Sequence, residues 1–118
     1  MLDKAGEGKK GEDKAIKALK RHGYKIIERN YRSPFGEIDI IAKDGDCLCF
    51  IEVKKRNLPF FGDPLEAIDT RKMVHIIKTA TFYLKRHKLL EANARFDVVG
   101  IAGENVKIVR NAFSIEDG

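Results

Sequence analysis

The sequence predicts an α/β fold with a mixed sheet. Three observations predict it. Two long basic stretches, near residues 3–22 and 70–90, carry apolar residues at helical spacing. Five short runs rich in Ile, Val and Phe read as strands, and Gly-containing turns separate several of them. The runs fall in the order αβββαββ, which is the order of a layered α/β domain. At 118 residues the chain is one domain's worth. The ends, residues 1–5 and 114–118, are expected to be flexible.

The first helix is expected from Asp3 to His22, with Ala5, Glu12, Ala15, Ile16 and Leu19 on one side. Gly23 sits where a left-handed residue would end it. Tyr24 to Asn30 reads as a strand, and Arg32 to Gly36 as a turn. Glu37 to Ala42 reads as the second strand. Its Glu37, Asp39 and Ile41 share one face, and Ile38, Ile40 and Ala42 the other. Asp44-Gly45 is a hairpin signal, because this pair reaches positive φ cheaply.

Cys47 to Lys55 is the third strand. It is apolar on both faces at first, as a covered central strand would be. Asn57 to Gly62 is a loop holding Pro59, Phe60 and Phe61, the rings expected to be buried. Asp63-Pro64 resembles a helix start. Thr70 to Leu90 is a longer helix, with Met73, Ile76, Ile77, Ala80, Tyr83 and Leu84 as its apolar stripe. Arg95 to Ala102 and Val106 to Phe113 complete the sheet across a Gly103-Glu104-Asn105 turn.

Composition excludes several classes. No apolar run approaches the roughly 20 residues of a membrane-spanning helix, and the polar start is not a secretory signal. Cys47 and Cys49 lie two apart on one strand, without zinc-site spacing, and read as small buried hydrophobes. A cytoplasmic protein is the expectation. The formal net charge is +5, which permits a polyanionic partner.

Acids on faces that otherwise read as buried are the informative feature. On the third strand, Glu52 and Lys54 share a face with Leu48 and Phe50. An unpaired carboxylate in a dry core costs several kcal/mol, so this face is expected to open into a pocket. The hairpin makes Ile41 a neighbour of Leu48 or Cys49 and places Asp39 near Phe50 to Glu52. Glu12, on the apolar stripe of the first helix, is expected to face the same pocket. Two or three carboxylates suit Mg²⁺ or Mn²⁺. An ion held by Asp39 and Glu52 would polarise a phosphate, and Lys54 would hold a water or neutralise developing charge.

The motifs Gly36-Glu37-Ile38-Asp39-Ile40-Ile41-Ala42 and Phe50-Ile51-Glu52-Val53-Lys54-Lys55-Arg56 resemble those of the PD-(D/E)XK nuclease superfamily. Within it the chain is similar to the YraN-like bacterial family. The flanks Gly11-Glu12, Arg29 to Arg32, Lys72 with Ala80 and Tyr83-Leu84, and Arg95 to Val99 extend the similarity over about residues 6 to 102. The resemblance implies a restriction-endonuclease-like three-layer core in αβββαβ order, here with an extra C-terminal strand. It also implies a relationship to archaeal Holliday-junction resolvases. Carried over residue by residue, Asp39 and Glu52 are the metal-binding acids, Lys54 the active-site lysine and Glu12 the helix-borne acid. Ile38 stands where the superfamily's nominal Pro precedes the Asp.

The positive charge is uneven. Residues 71–95 hold seven cations against Glu91 alone, and the first helix adds Lys9, Lys10, Lys14, Lys17, Lys20 and Arg21. Lys55 and Arg56 lead out of the expected site and with Arg32 are expected phosphate contacts, and Lys72 is expected to reach a phosphate or the site itself. The three histidines have no metal-pair spacing and read as ordinary residues. The reading is a Mg²⁺- or Mn²⁺-dependent endonuclease acting on DNA, on branched or damaged DNA in particular. A homodimer is compatible with it. The competing reading is a non-catalytic nucleic-acid-binding or scaffolding module on the same fold.

Overall fold

A computed structural model describes residues 4–55 and 70–114, with side chains from residue 11 onward. The element order is α1 (Lys4–Arg21), β1 (Lys25–Ser33), β2 (Gly36–Asp44), β3 (Cys47–Lys55), α2 (Thr70–Arg86), β4 (Ala94–Ala102) and β5 (Asn105–Phe113). The strands form one mixed sheet in sequence order, antiparallel except where β3 runs parallel to β4. That pair needs a crossover, and α2 lies within it.

The two helices cover opposite faces. Ala15 and Leu19 of α1 pack with Ile40, Ala42, Cys49, Ile51 and Val99. Ile76, Ala80 and Tyr83 of α2 pack with Ile38, Ile41, Leu48, Phe50 and Val98. β3 therefore contributes to both cores, Cys49 and Ile51 to one and Leu48 and Phe50 to the other. This is the three-layer α/β arrangement the sequence led one to expect. Neither cysteine is in a disulfide; Cys49 is buried and Cys47 half-buried. Among the described residues no helix is long and apolar enough to cross a membrane.

Several boundaries differ from expectation, each for a local reason. β1 runs on to Ser33, since Arg32 pairs with Glu37 and Ser33 with Gly36, so Pro34 and Phe35 alone make the turn. α1 ends as predicted: Gly23 takes φ 90° and Tyr24 N–H donates to the Leu19 carbonyl at 3.0 Å. α2 stops at Arg86 rather than Leu90. Lys88 takes φ 56°, and Leu89 N–H reaches back to the Leu84 carbonyl at 2.7 Å. A lysine here fills the left-handed position that glycine usually marks.

The hairpin register is one step from the expected one. Ile41 lies opposite Phe50 and Ile40 opposite Ile51. The larger difference is on β2, where Ile38 and Ile40 belong to opposite cores although they lie two residues apart. The simple alternation that put them on one face fails at Asp39. Its neighbour across the β1–β2 ladder is Asn30, which sits at φ 52° between the pairs Arg29–Ile40 and Tyr31–Ile38. A left-handed residue turns the strand over, and Tyr31 accordingly packs on the α2 side with Ile38.

Arg56, the Phe60–Phe61 loop and the helix start at Asp63-Pro64 lie outside the described residues.

Candidate active site

β2 pairs with β3 from Asp44 back to Ile40. At the next residue the side chain takes over from the backbone: Asp39 Oδ2 accepts the Val53 N–H at 2.8 Å. The face switch at Asp39 and this bond bring its carboxylate beside the far end of β3. Glu52 lies there, buried at 5% exposure, opposite Val98 on the side of the sheet that α2 covers.

Two amines meet Glu52. Lys72 Nζ of α2 is 2.8 Å from Glu52 Oε1, and Lys54 Nζ is 3.8 Å from the same atom. Lys54 thus shares Glu52's face, as the period of two requires. Lys72 is thus a direct partner of the acid.

The electrostatics of this cluster are strained in the acid's direction. Burial and the like charges of Glu52 and Glu12 push the Asp39 carboxyl up to about 7, against the opposing Val53 hydrogen bond and Lys72 charge. Burial and the neighbouring Lys72 ammonium hold Lys54 below its ordinary value. Burial is the largest influence on Lys72 and lowers it, but its hydrogen bonds to Glu52 and Lys54 and the charges of Glu52 and Asp39 together outweigh that and leave it raised.

The other expected site residues are placed less centrally. Glu12 Oε2 accepts from Asn30 Nδ2 at 3.2 Å and lies 3.5 Å from Arg29, so it contributes to the field at Asp39 while held by β1. Among the described residues no group of three or more His, Cys, Asp or Glu converges as a metal site. Arg32 is exposed and pairs with Glu37 at 3.3 Å on the β1–β2 turn. Lys55 lies across Gly11 of α1, where any Cβ would overlap its Cε.

Two carboxylates still fit a hard divalent ion. Mg²⁺ commonly takes one or two carboxylates and completes its shell with water and substrate oxygens. Burial first, and then the repulsion between Glu52 and Asp39, raise the Asp39 carboxyl, and a cation between the two acids would relieve that repulsion.

The model of the uncharacterised protein family UPF0102 matches residues 11–101. The chain belongs to this family. UPF0102 proteins of Persephonella marina and Desulfosudis oleivorans are 44% and 47% identical, covering 93% and 90% of this chain and 95% and 88% of theirs. That of a Sulfurihydrogenibium strain is 43% identical over 98% of this chain and its own full length. Among solved structures, the fold is similar to that of Archaeoglobus fulgidus Hjc, a Holliday junction resolvase. The TM-score is 0.51 at 19% identity, over 84% of this chain and 72% of that one. The YraN-like motifs and the resolvase-like fold thus agree with what the sequence implied.

This UPF0102 chain also buries a charge that sequence reading passed over. Asp97, fully buried on β4, accepts from Tyr24 Oη at 2.7 Å, Arg95 Nε at 2.9 Å and Asn111 N–H at 2.8 Å. Asn111 sits at φ 52° where β5 bulges, so the carboxylate caps the bulge. Arg95 goes on to Asp44 and holds that carboxyl below its usual range. Burial and the Asp97 charge raise the Tyr24 phenol. The cluster ties the α1–β1 junction, β2, β4 and β5 together on the α1 face. The clue was available: an acid inside RFDVV, a run apolar on both sides, is as anomalous as Glu52.

Proposed function

We propose that this UPF0102 protein is a divalent-metal-dependent nuclease that hydrolyses phosphodiester bonds in DNA, with branched DNA the favoured substrate. The observation that carries the reading is the position of Glu52. It is buried where β2 leaves β3, between the Asp39 carboxylate and the amines of Lys54 and Lys72. The motifs of the PD-(D/E)XK superfamily and the fold shared with a Holliday junction resolvase support it.

Asp39 and Glu52 would hold the ion, which when bound supplies Lewis acidity toward the scissile phosphate. Val53 N–H donates to Asp39 Oδ2 and holds that carboxylate beside the end of β3. Lys54, on the same face as Glu52, positions the attacking water or neutralises charge growing on the phosphate. Lys72 holds Glu52 in its absence and is well placed to turn to a phosphate oxygen. Glu12 sets the field at Asp39 from α1. Arg32, Lys55 and Arg56 would add phosphate contacts without reading sequence. A homodimer would suit an enzyme that cuts two strands.

The test is incubation of plasmid, single-stranded and branched DNA with Mn²⁺, beside Lys54→Ala and Asp39→Ala. Cleavage lost in both variants supports the reading; cleavage surviving both removes it. One observation favours a second reading, a non-catalytic DNA-binding module: Lys72 already neutralises Glu52 at 2.8 Å. That module would bind DNA in a salt-sensitive way indifferent to Asp39→Ala, and calorimetry would find no metal affinity.

A further inference from the structure

Away from the acids, α2 presents a row of mixed character. Lys78, Phe82 and Arg86 follow at four-residue spacing, so they stack along one helix face. The Arg86 guanidinium lies over the Phe82 ring, 5.6 Å from its centroid. Phe35, 45% exposed in the β1–β2 turn, meets the edge of Phe82 with centroids 6.2 Å apart. Between these rings and Ile77, Lys78 and Lys85 runs a groove of about 390 Å³. That volume is within the range of sites for small organic rings.

The charged residues that line the groove, Lys78 and Lys85, have one sign. α2 carries Arg71, Lys72, Lys78, Lys85 and Arg86 and not one Asp or Glu. An apolar peptide or a second copy would gain nothing from so many cations, whereas a nucleic-acid backbone would. Phe82 follows Lys72 by ten residues, about 15 Å along the helix. That is about four stacked nucleotides from the proposed site, at 3.4 Å each.

Resting on the nuclease reading for its substrate class, we propose that the Phe35–Phe82 groove is a stacking slot for an unpaired base of single-stranded DNA. Lys78, Lys85 and Arg86 hold its backbone. A slot of this kind selects DNA with a single-stranded flank, because a paired base has no free face to offer.

The chain contains no tryptophan, so Phe35→Trp installs a single reporter in the groove. The full chain is titrated in EDTA with a 12-nucleotide oligo-dA and an abasic strand of equal length. Anisotropy of a labelled end reports binding. The expected result is that both strands bind and only oligo-dA quenches the tryptophan. Equal quenching by the two, binding without quenching, or no binding overturns the proposal. Phe35→Leu, which keeps an apolar contact with Phe82 but loses the flat face, should weaken single-strand binding about tenfold and leave duplex binding unchanged. A dimer in sedimentation that dissociates in Phe35→Leu would assign the groove to a second copy and overturn it. The assay uses neither metal nor cleavage. Quenching in a protein that cuts nothing would uphold the slot and remove the nuclease, and cleavage without quenching would do the reverse.

Discussion

Lys72 Nζ of α2 lies 2.8 Å from Glu52 Oε1 of β3, so the long helix is fastened to the central strand through the acid at the centre of the site. Glu52 is buried while Lys72 is 41% exposed. Removing the amine leaves Glu52 with Lys54 at 3.8 Å as its nearest cation among the described residues. Losing one partner of a fully buried pair costs about 3–5 kcal/mol. Exposure of Lys72 reduces this, and Lys72→Ala is expected to cost about 1–2 kcal/mol without metal. Thermal unfolding in EDTA should show it as a lowered Tm. Because the amine no longer competes for Glu52, calorimetry should find Mn²⁺ bound more tightly by Lys72→Ala than by the parent chain. Weaker binding would mean Lys72 helps to build the metal site instead of guarding it.

The raised Asp39 carboxyl gives the metal-free protein a pH dependence of stability. Its ordinary value is 3.8 and its folded value about 7. Between these values the folded state holds a proton that the unfolded state has released. Stability of the metal-free chain therefore falls as pH rises from about 4 to 7. Asp39→Asn removes the titrating group and should flatten this part of the profile. A divalent ion should raise the Tm more at pH 8 than at pH 5, since below pH 7 it must displace the proton. An equal rise at both values would separate the metal from Asp39.

Lys54 divides the nuclease reading from a binding module. It reaches Glu52 Oε1 at 3.8 Å, too far for a strong hydrogen bond, so its part in stability is small. Lys54→Met keeps the length of the apolar stem and removes the amine. Loss of one donor to developing charge costs roughly 10²–10³ in rate. Single-turnover cleavage should fall by about that factor while the Tm moves by only a few degrees. Unchanged cleavage would place the donor elsewhere.

Asp97 predicts the opposite pattern. Its carboxylate is fully buried, with bonds from Tyr24, Arg95 and Asn111. Asp97→Ala leaves the Arg95 charge and the Asn111 N–H with fewer partners, and should cost about 3–5 kcal/mol. Tyr24→Phe removes one neutral donor and should cost about 1–2 kcal/mol. Urea unfolding of both variants checks the ranking. A milder Asp97→Ala would mean that water replaces the carboxylate.

The sequence yields the sheet more readily than the site. β3 has the predicted bounds because both its faces are apolar and a turn signal precedes it. Glu52, Lys54 and Asp39 stand out in the sequence because charge on such faces is costly. What stayed hidden depends on single backbone angles. Lys88 ends α2 in a conformation expected of glycine, and Asn30 turns β1 over opposite Asp39. A period-two pattern cannot register either event. The Lys72–Glu52 pair was hidden for another reason: it joins elements 20 positions apart in sequence through a crossover whose geometry no local pattern states.

Asn30 is therefore the sharpest test of how the fold aims the Asp39 carboxylate. Its φ of 52° lets Ile38 and Ile40 enter opposite cores, with Asp39 between them free to meet Val53. Its Nδ2 also holds Glu12 at 3.2 Å. Asn30→Gly keeps the left-handed angle and loses only the amide, so it should fold well and keep most cleavage. Asn30→Val cannot take that angle without strain of about 1–3 kcal/mol, because a β-branched side chain crowds the backbone there. It should lose metal affinity and cleavage together, with the Asp39-dependent pH profile displaced. Thermal unfolding separates this from simple misfolding: Asn30→Val should still unfold cooperatively, at a Tm lowered by about 4–10 °C. Full cleavage by Asn30→Val would show that the strand turns over at Asp39 without help from its neighbour.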